Sequence, residues 1–195
     1  MEKGYGGFIT LYTFSYMAIG VMMPLIGQYL KHTGFSGTQI GVITASGTFA
    51  AIIASTFWGK VYANTENKKL LLVFLCFFAA VTSVVLSNIY IYVVFVLGYG
   101  LMYFFQAPVM ALSDALTIDE KKPFGYVRMW GAVGFALGIF VSANVAEALG
   151  LGSIFFIYAG CFLLCAWAVM MICRREKASR EFSAPLKKKK KVPKH

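Results

Sequence analysis

The stretch SIFFIYAGCFLLCAWAVMMIC at residues 153–173, followed at once by RREKASREFSAPLKKKKKVPKH at 174–195, decides how this chain is built. The first part has 21 residues and no charge among them. Crossing a hydrocarbon core takes about 20 apolar residues in a helix, so this run predicts a transmembrane helix. The second part holds ten basic and two acidic residues, which is +8 of the chain's net +10. Lys and Arg are retained on the cytoplasmic side of a membrane. The tail is therefore expected in the cytoplasm, against anionic lipid headgroups.

Working outward, five further apolar runs precede this one, at about 5–30, 38–58, 70–86, 89–113 and 126–146. Only 13% of the 195 residues are charged, against about 25% in a soluble domain. Six spans and short connections use the whole length. The expected fold is all-α: a six-transmembrane-helix bundle over 1–173, then a basic tail over 174–195. The first run is too long for a signal-peptide core and lacks a small-residue cleavage site after it, so it reads as a retained helix. Every Lys and Arg except Lys31 falls at the N-terminus, near the polar stretches 59–69 and 114–125, or in the tail. Both termini are thus expected in the cytoplasm, in agreement with an even number of spans in a cell (inner or plasma) membrane.

These patterns exclude several functions. The positive charge follows an apolar helix, which points to lipid and not to nucleic acid. Cys76, Cys161, Cys165 and Cys173 lie in apolar runs, where packing is their expected role; no metal-like Cys/His cluster appears. His32 sits in an outer loop and His195 in the tail. There is no nucleophile–His pairing, phosphate-cradling Gly loop or HExxH-like helix. No enzyme and no cofactor is expected.

Ionisable residues at span margins are the strongest functional pointers in such a chain. Asp114 ends the fourth run and Arg128 begins the fifth. Spacing leaves two readings: they pair across the seam, or both snorkel to headgroups. Gln106, Met110 and Asp114 fall at four-residue steps, with Tyr99 and Tyr103 nearly on the same stripe. Arg128, Gly131, Phe135, Gly138 and Ser142 share one side of the fifth helix. Both faces are expected to line a water-filled cavity. Tyr12, Tyr16 and Gly20 form a similar stripe, of a kind common in packing and interfacial belts. The small residues Gly131, Gly134 and Gly138, and Gly41, Gly47, Ala50 and Ala54, predict close helix association.

The segment FGYVRMWGAVGF, residues 124–135, closely resembles the start of the fifth helix in lactose permease and its relatives in the major facilitator superfamily. Those relatives include oligosaccharide, nucleoside and phenylpropionate proton symporters, and the RxWGxxGF form looks more like the last two. GTQIGVITA at 37–45 looks like the second helix of that group. The resemblance covers residues 1 to about 174. It implies that Arg128 binds substrate and pairs with a carboxylate on the fourth helix. Asp114 is the candidate, although it stands later relative to Pro108 than the family's glutamate. Phe135 takes the place of a sugar-stacking Trp, which weakens a sugar reading and leaves aromatic acids and nucleosides. Gln106 and Tyr103 complete the expected substrate-binding set.

GKVYANTENKKLL at 59–71 resembles the family's gating loop. Gly59, Lys68 and Lys69 match it. Ala63, with Asn64 beside it, stands where an Asp is expected, and Glu66 replaces the second Gly. The resemblance implies a latch on the cytoplasmic side, weakened here by the missing Asp. The family's full transporter has twelve helices, so the chain is expected to be half of a proton-coupled symporter for a small organic solute. Its partners would be the bilayer, the solute, protons, and a second six-helix half or a second copy of itself. The alternative is a truncated or split-gene product with a binding or scaffolding role.

Overall fold

The computed structural model describes residues 5–189, with side chains to Arg175. Among the described residues the secondary structure is helical: α1 Gly6–His32, α2 Gly37–Asn64, α3 Lys68–Leu86, α4 Tyr92–Asp119, α5 Phe124–Leu149 and α6 Ser153–Lys189. All six are long and apolar enough to cross a membrane, α6 over Ser153–Arg175. Even α3, with 19 residues, reaches about 28 Å at 1.5 Å per residue. This is the expected six-helix membrane bundle. The lysines of the basic tail lie beyond the residues whose side chains are described.

Local chemistry sets the turns. Gly34 takes φ +94° after α1, a conformation that favours glycine. Ser36 then caps α2 reciprocally with Gln39, a capping box that satisfies two of the N–H groups a helix start leaves without partners. Three ends run well past the expected ones. α2 continues past Trp58 to Asn64, and α4 continues past Ser113 to Asp119. Neither extension contains a Pro or an internal Gly beyond Gly59, so the polar residues stay helical as they leave the apolar layer. Asp114 therefore stands inside α4, not at its end. α6 likewise continues beyond Cys173 as backbone helix to Lys189.

The packing has an internal symmetry. α1 packs on α5 and α6, α4 packs on α2 and α3, and α3 meets α6. Helices 1–3 and 4–6 thus play corresponding parts. Corresponding helices are three apart and cross in opposite directions, which is an inverted repeat. Interhelical hydrogen bonds add to this packing, one between the repeats and one within the second. Ser83 Oγ donates to the Phe155 carbonyl at 2.9 Å, and the Tyr158 hydroxyl donates to Gln106 Oε1 at 2.9 Å.

The closest approach is between α1 and α5. A Cβ added at Gly134 would strike the Thr13 carbonyl, one at Gly138 the Met17 carbonyl, and one at Gly20 the Phe135 carbonyl. Gly131 lies under the Tyr16 ring. Gly131, Gly134, Gly138 and Ser142 are all buried. The α5 face expected to line a cavity is, over these positions, a packing seam. Glycine removes the Cβ that would hold the backbones apart, and dispersion between them supplies the attraction that apolar burial cannot supply in lipid. Large apolar side chains point outward elsewhere, among them Phe49 and Phe57 on α2 and Val133 and Phe140 on α5, as expected for surfaces facing acyl chains or another bundle.

Gly134→Ala is expected to lower stability by about 1–3 kcal/mol through overpacking, measured as the unfolding midpoint in detergent. Gly41→Ala, where the added Cβ meets nothing within 4 Å, is expected to leave it unchanged. Equal midpoints would show that the seam yields without strain.

Candidate functional site

Three helices converge on one carboxylate. Arg128 Nη1, from the first turns of α5, donates to Asp114 Oδ2 at 2.7 Å. The Tyr12 hydroxyl, from α1, donates to Asp114 Oδ1 at 2.6 Å. Tyr12 also lies 3.3 Å from Thr117 Oγ1, and Thr117 donates to the Ser113 carbonyl at 2.7 Å. Asp114 and Arg128 thus form the pair, and the snorkelling alternative does not describe them.

The glycine seam brings this about. It holds α5 against α1, so Arg128 arrives beside Tyr12; the turn at Lys121, with φ +52°, and Pro123 return the chain from α4 to α5. An unpaired carboxylate here would carry a large desolvation cost. Two donors, one of them cationic, remove most of it. The two partners differ in openness: the Arg128 side chain is 48% exposed and that of Asp114 25%. The Phe124 ring covers one side of the guanidinium at 5.4 Å, and Tyr16 stacks on Tyr12 at 6.4 Å between ring centroids.

The other candidates separate into groups. Tyr103 is partly exposed on α4, accepts from the Tyr99 hydroxyl at 3.2 Å, and lies over Gly47 of α2. Phe135 is partly exposed on α5. Gln106 is buried and points to Tyr158 of α6. It stands inside the bundle, away from the Asp114–Arg128 pair, because a lone amide in an apolar layer is driven to the nearest internal partner.

The expected gating loop is mostly helix. Gly59 and Asn64 belong to α2, and Asn64 Nδ2 donates to the Lys60 carbonyl at 2.9 Å. Lys68 Nζ pairs with Asp119 Oδ2 at 2.7 Å and sits 4.9 Å from the Tyr62 ring centroid. Lys69 pairs with Glu120. The basic pair is thereby clamped to the end of α4 within the same bundle. Thr117, Asp119 and Glu120 escape a sequence reading that ends the fourth helix at Ser113. Their one signal is spacing, since Thr117 is three residues from Asp114 on a continued helix. Among the described residues no group of His, Cys, Asp and Glu is arranged to hold a metal ion.

A family model described as the MFS_1 like family matches residues 8–195. The chain is 26% identical over 175 residues to an uncharacterized transporter of Bacillus subtilis, YwbF, covering 87% of this chain and 44% of that protein. It is 26% identical over 164 residues to a maltose permease of Geobacillus stearothermophilus, covering 82% and 42%. It is 27% identical over 170 residues to the multidrug resistance protein MdtG of Escherichia coli, covering 82% and 41%. The chain spans less than half the length of these curated relatives.

Exchanging the pair, Asp114→Arg with Arg128→Asp, is expected to recover folding better than either single change. The coupling energy expected in a double-mutant cycle is about 1–2 kcal/mol, reduced from a fully buried pair by solvent screening. It is read from unfolding midpoints in detergent. Strict additivity would show that the two charges contribute independently.

Proposed function

The chain belongs to the MFS_1 like family of the major facilitator superfamily, and we propose that it forms one six-helix half of a secondary transporter that moves a small organic solute with protons. The observation that carries this reading is the Arg128–Asp114 pair, joined by Tyr12 of a third membrane helix and with the guanidinium nearly half exposed. A charge pair kept in such a place at a desolvation cost is a site by default. The printed names of the relatives, a transporter, a permease and a multidrug resistance protein, support the same class.

In transporters built from two such bundles, substrate sits near the midplane between them and the bundles rock about it. Arg128 and Asp114 then belong to one wall of the cavity, with Tyr103 and Phe135 beside them. Gln106 stands behind that wall and braces it through Tyr158. The second wall comes from another six-helix half or a second copy of this chain. The Lys68–Asp119 and Lys69–Glu120 pairs stiffen the basic end of the bundle, which we place in the cytoplasm of a cell membrane. A latch made by this loop against another bundle is correspondingly weak, since its cations already have partners.

The purified chain, reconstituted as a monomer in liposomes under an inward proton gradient, is expected to take up no sugar, nucleoside or aromatic acid. Uptake is expected once a second half or a cross-linked second copy is present, and Arg128→Ala is expected to abolish it with normal membrane insertion. Proton-driven uptake by a demonstrably monomeric preparation would overturn the half-transporter reading. Solute affinity unchanged in Arg128→Ala would remove Arg128 from the site.

A further inference from the structure

We propose, resting on the cavity reading above, that the Arg128 site takes a small organic carboxylate together with one proton, which Asp114 receives.

The basis is an imbalance between donors and acceptors. A guanidinium has five N–H donors in a planar fork, and one of them goes to Asp114 Oδ2. The side chain is 48% exposed, which leaves the remaining donors room for a partner. The carboxylate is the reverse case. It is 25% exposed, and each of its oxygens already accepts a hydrogen bond, from Tyr12 and from Arg128. A hydroxyl-rich solute needs acceptors as well as donors, and at this pair both carboxylate oxygens are already engaged while the guanidinium keeps donors to spare. A ligand rich in acceptors and poor in donors fits best. A carboxylate matches the fork in two parallel bonds, and the Phe124 ring on one side of the guanidinium suits an apolar body attached to it.

Charge then requires the proton. Asp114 and Arg128 together are neutral. A bound carboxylate adds one negative charge beside a part-buried carboxylate, where an unbalanced charge is costly. The groups facing Asp114 are Tyr12 from α1, Arg128 from α5, and Thr117 from its own helix through Tyr12. The next charges toward the basic end, Lys68 with Asp119 and Lys69 with Glu120, neutralise each other. Asp114 is the carboxylate bonded to Arg128 itself, and so it takes the proton. A proton from the medium joins Oδ2, that oxygen releases Nη1, and Nη1 and Nη2 turn to the two oxygens of the incoming carboxylate. Tyr12 keeps its bond to Oδ1 and holds the protonated acid in place. One anion and one proton enter, and the cluster stays neutral.

The test is calorimetric titration of the chain in nanodiscs, assembled with a second half or a cross-linked second copy so that both walls are present, with benzoate, its neutral isostere benzamide, and maltose, in buffers of different ionisation enthalpy. Benzoate is expected to bind with uptake of about one proton, and benzamide and maltose far more weakly. Arg128→Gln is expected to weaken benzoate by at least about 30-fold. Asp114→Asn is expected to bind benzoate with no proton uptake, a change that a structural role would not produce. Nanodisc elution profiles confirm that both variants are folded. Benzamide or maltose binding as tightly as benzoate, and needing Arg128, would overturn this inference and leave the cavity reading intact. Benzoate binding without proton uptake in the unaltered chain would also overturn it. Binding of none of the three in an Arg128-dependent way would overturn the cavity reading with it.

Discussion

The contact on which the rest of this structure depends is the backbone-to-backbone approach of α1 and α5. Inside a bilayer there is no hydrophobic drive to bring helices together, because lipid tails are as apolar as leucine. Association must come from close packing and hydrogen bonds. Gly20, Gly134 and Gly138 provide the first by letting the carbonyls of one helix lie on the Cα atoms of the other, and Gly131 makes room for the Tyr16 ring. This fixes the height and rotation of α5, and with them the place where Arg128 leaves the helix. A displacement of α5 by the width of a methyl group would move the guanidinium by a comparable distance, enough to stretch a 2.7 Å bond well beyond hydrogen-bonding range.

The same medium governs the polar groups. Asp114 persists because α1 and α5 each bring it a donor, and Gln106 because Tyr158 does. Both acceptors lie on α4, and all three donors come from α1, α5 and α6. These bonds therefore join the group of helices around α1 to the group around α4, alongside the direct packing of α3 on α6. The bundle is a pair of interleaved three-helix units held by that contact and by a few polar bonds.

How much of this the sequence disclosed follows from the range of each interaction. The six spans were legible because a bilayer imposes a fixed length of apolar residues on each crossing. The Asp114–Arg128 pair was legible as one of two options, because a short turn leaves their helices as neighbours. The ends of α2 and α4 were not legible: hydropathy marks where a chain leaves the apolar layer, and a helix without a breaker continues past that point. The α5 stripe of Gly131, Gly138 and Ser142 read as a cavity wall because small and polar residues suit both an aqueous surface and a tight seam. Distinguishing the two requires knowing that α1 lies opposite. The inward turn of Gln106 was hidden in the same way, since its partner is 52 residues distant in sequence.

The interleaving has a consequence for how the chain is made. Of these six helices α1 leaves the ribosome before the others, yet its main packing partners, α5 and α6, are the last two of the six. α1 must wait in the membrane through the synthesis of more than ninety residues before residue 124 emerges. During that wait Gly20 and Ser15 face lipid, and the hydroxyl of Tyr12 has no carboxylate to meet. α2 and α3 wait likewise for α4. Neither three-helix unit is complete when it is inserted, so assembly begins with α4 and closes only when α5 and α6 reach α1.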